Sequence, residues 1–380
     1  MSAENHKKIK ILVVFGTRPE AIKLAPVCRK LKEASMFELY ICNTGQQREM
    51  AEKTLSFFDL RSDYDLDVMT CSQTLPGLQA RLLEKFSSLL AEENFDGIIV
   101  QGDTMSAFCG ALAGFYGKIP VFHVEAGLRS SSLAEPWPEE GLRQMLTRIA
   151  VLHFASTFEA EKNLLRENIA RENIVVTGNT VIDALYSLSP EKYAEAERSL
   201  QKDHGISGEK KVVLVTVHRR ENHGERLENI LKAVIRLAEK YPEHVFILPV
   251  HPNPAVKEKV TGKLSSFSNI FLLPPLDYPV LCFLMKKSVL ILTDSGGIQE
   301  EAPAFGTPVI VLREKTERQE GIEKGCAFLA GADCEKICLL AGKFLDGNGE
   351  KIVRENPYGD GNAAGRIVQK IMDFYTLEQK

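Results

Sequence analysis

Leu290-Ile291-Leu292-Thr293-Asp294-Ser295-Gly296-Gly297-Ile298-Gln299-Glu300-Glu301-Ala302-Pro303 carries an apolar, β-branched run into a hydroxyl and two glycines, then into a helix-forming segment. Strand, glycine turn and helix in that order is the repeating unit of an α/β parallel sheet. The turn also has a chemical use. The first turn of a helix leaves four N–H donors unpaired and carries partial positive charge, and glycine lets an anion approach the backbone closely. Ser295, Gly296 and Gly297 are therefore candidate phosphate ligands, and Glu300 or Glu301, one turn further on, can accept from a ribose diol. A plain strand-to-helix connection has the same form, and a glycine pair is less specific than a full G-x-G-x-x-G.

Outward from this stretch, short apolar runs alternate with longer amphipathic segments along the whole chain. Candidate strands are Lys10–Phe15, Glu38–Asn43, Gly97–Gln101, Pro120–Val124, His153–Ala155 and Ile174–Thr177. The pattern restarts with Lys211–Val217, Val245–Pro249, Ile270–Leu273, Val289–Thr293 and Pro308–Leu312. Between the two series, Ser189–Lys211 is charged and poor in large apolar residues, which reads as a surface helix plus a domain linker. At 380 residues the chain is longer than a single core usually grows. The expectation is an α/β protein of two Rossmann-like domains with a cleft between them, where ligands bind beyond the carboxyl ends of the strands.

Composition narrows the function. Hydrophobic content of 44% and charged content of 26% are those of an ordinary globular protein, and a formal net charge of −4 gives no electrostatic case for nucleic acid or an anionic membrane. No apolar run approaches the roughly 20 residues that span a bilayer, and Ile11–Phe15 is too short for a signal-peptide core. The eight cysteines never occur as Cys-x-x-Cys, and Cys28, Cys42, Cys109 and Cys282 sit in apolar segments. Reduced thiols in a cytoplasmic protein are expected, with no metal site.

Reactive side chains just after strands are the remaining filter. Arg18 and Lys23 lie at a helix start in Gly16-Thr17-Arg18-Pro19-Glu20-Ala21-Ile22-Lys23, where a basic pair opposes the helix dipole unless an anion visits. The alternative is a capped turn with two solvated cations. Asp103 follows Gly97–Gln101 and Glu125 follows Pro120–Val124, so parallel connections bring both carboxylates to one sheet edge, where they can share acid and base duties. An N-cap role for Asp103 and a Glu125–Arg129 pair are the alternatives. Glu139 and Arg143 fall at i and i+4, the spacing of an ordinary helix salt bridge. His218, followed by Arg219 and Arg220, can donate to a phosphate or act as an acid. His251, among prolines, reads as a structural turn, and Arg318 is a candidate phosphate or ribose contact in a charged run.

Taken in order, these segments resemble the non-hydrolysing UDP-N-acetylglucosamine 2-epimerase family. The matches are Phe-Gly-Thr-Arg-Pro-Glu-Ala-Ile-Lys (15–23), Gly-Asp-Thr (102–104), His-Val-Glu-Ala-Gly-Leu-Arg (123–129), Trp-Pro-Glu-Glu (137–140) and Thr-Gly-Asn-Thr-Val-Ile-Asp-Ala-Leu (177–185). His-Arg-Arg-Glu-Asn (218–222), Thr-Asp-Ser-Gly-Gly-Ile-Gln-Glu-Glu-Ala-Pro (293–303), Thr-Glu-Arg (316–318) and Asn-Pro-Tyr-Gly-Asp-Gly (356–361) continue them. The resemblance implies a glycosyltransferase-B type fold with a cleft active site and a homodimer. Its first domain would span 1–186 with a returning C-terminal helix at 363–380, and its UDP-binding domain 187–362. It implies reversible conversion of UDP-GlcNAc to UDP-ManNAc without a cofactor, by loss of UDP to 2-acetamidoglucal and re-addition, supplying precursors for surface glycans.

Carried over by position, Asp103, Glu125 and Glu139 are the acid/base candidates, with Arg143 holding Glu139; His218 and Lys23 complete the catalytic set. Arg18, Lys23, His218, Leu276, Leu281, Ser295, Gly296, Gly297, Glu301 and Arg318 form the UDP-sugar binding set. Four positions depart from the family pattern. Leu281 stands where relatives often have a phenylalanine against uracil, with Phe283 as a substitute ring. Leu142 stands where a polar residue is common. Of the contacts for an activating second UDP-GlcNAc, Gln46 is kept, while Ser72 and Gln47 replace an arginine and a histidine. A related epimerase of a modified UDP-sugar and a glycosyltransferase of the same fold are the rival functions.

Overall fold

β-Branched and aliphatic runs become strands because both faces of a parallel sheet are covered, so Ile11, Leu12, Val13 and Val14 are all 0% exposed. The computed structural model describes residues 8–70, 73–130, 132–206, 210–250, 254–347 and 356–378. Ser72 and His251 lie outside them. The chain divides into two compact units, Met1–Ser187 with Tyr358–Lys380, and Leu188–Pro357.

The strands of the first unit are β1 (Ile9–Phe15), β2 (Phe37–Asn43), β3 (Tyr64–Asp65), β4 (Gly97–Gln101), β5 (Val121–Ala126), β6 (Leu152–Ala155) and β7 (Ile174–Val176). They pair parallel in the order 3-2-1-4-5-6-7. The second unit repeats the plan with β8 (Lys211–Thr216), β9 (His244–Pro249), β10 (Ile270–Leu273), β11 (Ser288–Thr293), β12 (Val309–Val311) and β13 (Ala327–Leu329). These pair parallel in the order 10-9-8-11-12-13. Each unit is thus Rossmann-like, and strand order reverses between β1 and β4 and between β8 and β11. Connections leave in opposite directions at such a switch point, opening a crevice beyond the strand ends. Asp103 and Arg18 follow the two strands of the first switch, and His218 and Ser295 those of the second.

Sequence reading located eleven of the strands to within a residue or two. It missed β3 and β13, two and three residues long, which add at sheet edges. Segments that short carry no detectable alternation. Pro190–His204 is the expected helix between the two series, capped by Ser189 and ended by Gly205 in the left-handed region, φ 66°. It is more than a solvated face: Ala196 and Leu200 are buried, and the helix packs on Tyr278–Lys287.

The first unit is discontinuous in sequence. Its last helix, Ala363–Glu378, starts at Asp183, whose carboxylate accepts from Ala363 N at 3.1 Å and Ala364 N at 2.8 Å. At the other end, the Tyr375 hydroxyl donates to the Asp96 carbonyl at 2.6 Å. It sits 2.5 Å from where a Cβ on Gly97 would stand, so only glycine at the start of β4 lets the helix close.

Candidate active site

In the first unit, β5 ends irregularly. Its register with β6 shifts between Val124 and Ala126, and the residue at the bulge, Glu125, has φ +63°. A non-glycine residue rarely adopts that conformation, and bulges re-aim side chains at strand ends. Here the bulge turns a carboxylate onto Lys23, and the two form a close ion pair with both side chains more than nine-tenths buried. Asn179 Nδ2 also donates to Glu125 Oε2, at 3.2 Å, while its own Oδ1 caps the helix Thr180–Tyr186. Glu125 therefore does not pair with Arg129. That arginine instead grips Glu167 through Nε and Nη2, at 2.6 and 2.9 Å.

Asp103 lies in the turn after β4, one strand over from Glu125. It is not the helix cap: Thr104 caps the helix Met105–Tyr116, accepting from Ala107 N. Asp103 forms a close ion pair with Arg143, which also binds Glu140 at 3.1 Å. This corrects the expected i, i+4 bond. Arg143 turns inward to Asp103 and the wholly buried Glu140, leaving Glu139, half-buried in the first turn of the helix Glu139–Ile149, without an ion-pair partner among the described residues. Leu142 is 5% exposed and packs in the core against the Met105–Tyr116 helix, which accounts for an apolar residue there.

Asp103 and Glu125 thus reach the same edge, each on its own cation. His123, two residues before Glu125, is buried with its ring Nε2 2.8 Å from the Gly102 carbonyl, and burial pushes its pKa down to about 3. A neutral ring here is a donor to the turn that carries Asp103.

The start of the helix Arg18–Glu33 differs from the expected anion site. Gly16 N and Thr17 N both donate to the Glu20 carboxylate, and Arg18 N donates to Gln47 Oε1. Gly16 is required by the close approach of the Thr44 and Ser106 hydroxyls. The backbone donors are taken, so any anion binding at this terminus falls to side chains. Gln46 accepts from the Ser106 hydroxyl at 3.1 Å.

In the second unit, Asp294 emerges from β11 beside the end of β8, because Thr293 pairs with Thr216. Its carboxylate is wholly buried and accepts from His218 N, Arg219 N and Asn222 Nδ2 at 2.9–3.1 Å. His218 Nδ1 lies 3.1 Å from Asp294 Oδ1, with the ring 41% exposed. Burial opposes ionisation of Asp294, but the His218, Arg219 and Asn222 bonds outweigh it and hold its pKa below the ordinary value. Asp294 fixes the imidazole and leaves Nε2 to meet a ligand.

Ser295 N bonds back to Thr293 Oγ1 at 3.0 Å, and the short helix Gly296–Glu301 follows. Gly296 N and Gly297 N have no protein acceptor among the described residues. The Arg318 guanidinium covers Gly296, its Cζ 2.8 Å from where a Cβ would stand. Arg318 is itself held by Glu300 at 2.9 Å and Glu317 at 3.4 Å. Glu301 is buried, its Oε1 3.5 Å from the Cβ position of Gly297. Leu276 and Leu281 are half-buried. Phe283 offers no ring face in place of a phenylalanine at Leu281, since it is 6% exposed with Lys287 Nζ 5.6 Å from its centroid.

Sequence reasoning missed Glu20, Glu140, His123, Asn179 and Asp294. Asp294 had the clearest signal: a carboxylate placed directly after a buried strand, in register with the strand that ends at His218.

Comparison with known proteins gives one consistent result. The family model for UDP-N-acetylglucosamine 2-epimerase matches residues 29–372. The UDP-N-acetylglucosamine 2-epimerase of Yersinia pestis is 44% identical over 372 residues, covering 96% of this chain and 98% of that protein. The crystal structure of UDP-GlcNAc 2-epimerase from Neisseria meningitidis bound to UDP-GlcNAc superposes with a TM-score of 0.89 at 42% identity, covering 96% of this chain and all of that one. The Methanocaldococcus jannaschii enzyme in complex with UDP-GlcNAc and UDP gives 0.83 at 34% identity, covering 97% and 100%.

Proposed function

The chain belongs to the UDP-N-acetylglucosamine 2-epimerase family, and from that premise we propose how its own residues interconvert UDP-GlcNAc and UDP-ManNAc. It is an isomerase of the nucleotide sugar. The C2 proton is not acidic, because no carbonyl is attached to that carbon, so direct removal and return would be slow. Elimination avoids this: a base takes the C2 proton, the C1–O bond breaks, and UDP leaves with the electron pair, giving 2-acetamidoglucal. Protonation of C2 on the opposite face and re-addition of UDP at C1 complete the exchange. The redox state of the sugar is unchanged throughout.

The observation that carries the assignment is the pair of cation-held carboxylates at adjacent strand ends, Asp103 on Arg143 and Glu125 on Lys23. With Glu139 they supply the base and the acid. Arg18 supplies a further cation. In the second unit His218 and the Ser295–Gly297 turn hold the diphosphate, Glu301 meets the ribose, Leu276 and Leu281 flank the uracil, and Arg318 fixes the Gly296 backbone beside them. Donors aimed at the departing diphosphate lower the barrier to C1–O cleavage by a few kcal/mol. We also propose a cytoplasmic homodimer. The burial of Cys28, Cys42 and Cys109 in apolar segments supports the compartment, and the exposed Phe115 and Tyr116 on one helix support the dimer. No described helix is long and apolar enough to cross a membrane.

Incubation with UDP-GlcNAc in D2O, followed by NMR, tests the reaction. UDP-ManNAc carrying deuterium at C2 is expected. Free ManNAc would indicate hydrolysis instead, and a sugar left unlabelled and unchanged would overturn the proposal. UDP-ManNAc supplied alone tests the activator: prompt turnover removes any obligatory role for a second UDP-GlcNAc at Gln46.

A further inference from the structure

Glu20 belongs to no part of the mechanism above, yet it is a carboxylate 2% exposed at the switch point of the first sheet. Its Oε2 accepts from Gly16 N at 3.1 Å, Thr17 N at 2.8 Å and the Thr17 hydroxyl at 2.7 Å. Its Oε1 accepts from the Thr104 hydroxyl at 2.7 Å. The first three donors follow β1 and begin the helix that carries Arg18 and Lys23. The fourth follows β4, is the neighbour of Asp103, and caps the helix Met105–Tyr116 at the same time. One side chain thus fastens the ends of two strands where their connections diverge.

Three of the four donors meet on one oxygen, Oε2. An amide can match that set only by placing its oxygen there and its NH2 on the Thr104 hydroxyl, which reverses the bond between the two strand ends. Two of those donors are helix-terminal N–H groups of the kind that elsewhere receive a bound anion. Here an internal carboxyl group occupies them, and burial drives its pKa up to about 7 despite the four bonds. A buried ionisable group of that cost needs a compensating role.

We propose that Glu20 is a positioning residue that sets the Asp103 turn against the helix bearing Arg18 and Lys23. This rests on the assignment of Asp103 and Lys23 to the epimerase site. The closing experiment compares Glu20→Gln with the parent protein on UDP-GlcNAc, and repeats the substitution in an Asp103→Asn background. A misplacement of about an ångström at reacting groups costs on the order of 10²-fold. The expected result is a kcat lowered about 10- to 100-fold by Glu20→Gln, with UDP affinity within about twofold. In the Asp103→Asn background the same substitution is expected to cost less than about threefold, because its effect passes through Asp103. A general loss of structure would act equally in both backgrounds.

Thr104→Gly removes the hydroxyl that reaches Glu20 while costing the helix cap only a few tenths of a kcal/mol. It is expected to reproduce the kcat loss and keeps the test open if Glu20→Gln does not fold. A parental kcat in Glu20→Gln or, if that variant does not fold, in Thr104→Gly, or an equal loss with and without Asp103, overturns the inference alone. A parent protein that leaves UDP-GlcNAc unchanged overturns the epimerase assignment and the inference together.

Discussion

At the end of β5, Lys23 and Glu125 neutralise each other in the protein interior, and across the strand gap Arg143 does the same for Asp103. At the end of β11 the N–H groups of Gly296 and Gly297 face no described acceptor, while His218 stands 41% exposed on its buried aspartate. The same strand order and the same switch point thus carry two opposite arrangements. In the first unit polarity is consumed internally, each carboxylate being met by a cation of its own unit. In the second, donors are left open, as suits the proposed capture and return of a diphosphate.

The sharpest way to break this contrast is Asp103→Asn. It keeps the hydrogen bonding of the turn but removes the carboxylate proposed to move the proton, and kcat is expected to fall at least about 10²-fold. UDP affinity, measured by calorimetry, is expected to stay within about twofold. A parallel fall in both quantities would mean that the two units do not divide the work. Asp294→Asn is the counterpart in the second unit. An amide turned toward the backbone donors of His218 and Arg219 is expected to cost about 2 kcal/mol in denaturant unfolding. It also loosens the imidazole and weakens UDP.

Gly296→Ala tests the open donors directly. The new methyl meets the Arg318 guanidinium, itself held by Glu300 and Glu317, so the turn must shift, with UDP binding weakened about tenfold and Asp103-dependent proton exchange intact. The smallest effect is in pH. Glu20 has a folded pKa of about 7 against an ordinary 4.5, so the folded state binds more protons between those values. Its contribution to stability is complete below about pH 4.5 and lost as pH rises through about 7, with a slope no steeper than about 1.4 kcal/mol per pH unit. The stability difference between the parent and Glu20→Gln, followed by urea unfolding, is expected to shrink over that window. A difference that stays constant over that window would mean that Glu20 is ionised throughout it.

The sequence made the strands of both sheets legible because burial on both faces writes itself as apolar runs, and it made the strand-end residues legible because parallel sheets put ligands there. What it could not show is who partners whom. Spacing alone favoured Glu139 for Arg143, yet three-dimensional neighbours won: Asp103 lies forty residues away in the chain and Glu140 on the inner side of the same turn. The left-handed conformation of Glu125 had no signature either, because it arises from an unequal count of residues on β5 and β6 rather than from residue type. His123 lay inside the candidate strand Pro120–Val124 with no role assigned, although its ring bonds the turn that carries Asp103. The leucine at 142 was visible as a departure, and only the packing explained it.

The discontinuity of the first unit has a consequence for biogenesis. Asp183 and the notch at Gly97 are synthesised early, but the helix that fills them, Ala363–Glu378, follows only after all of Leu188–Pro357 has been translated. At ribosomal speeds that interval is on the order of ten to thirty seconds. During it the nascent first unit lacks one wall of its core, with the edge rings of Phe122 and Phe37 awaiting Phe374 and Tyr375. The second unit is therefore the first able to finish folding, although it is the second to be made.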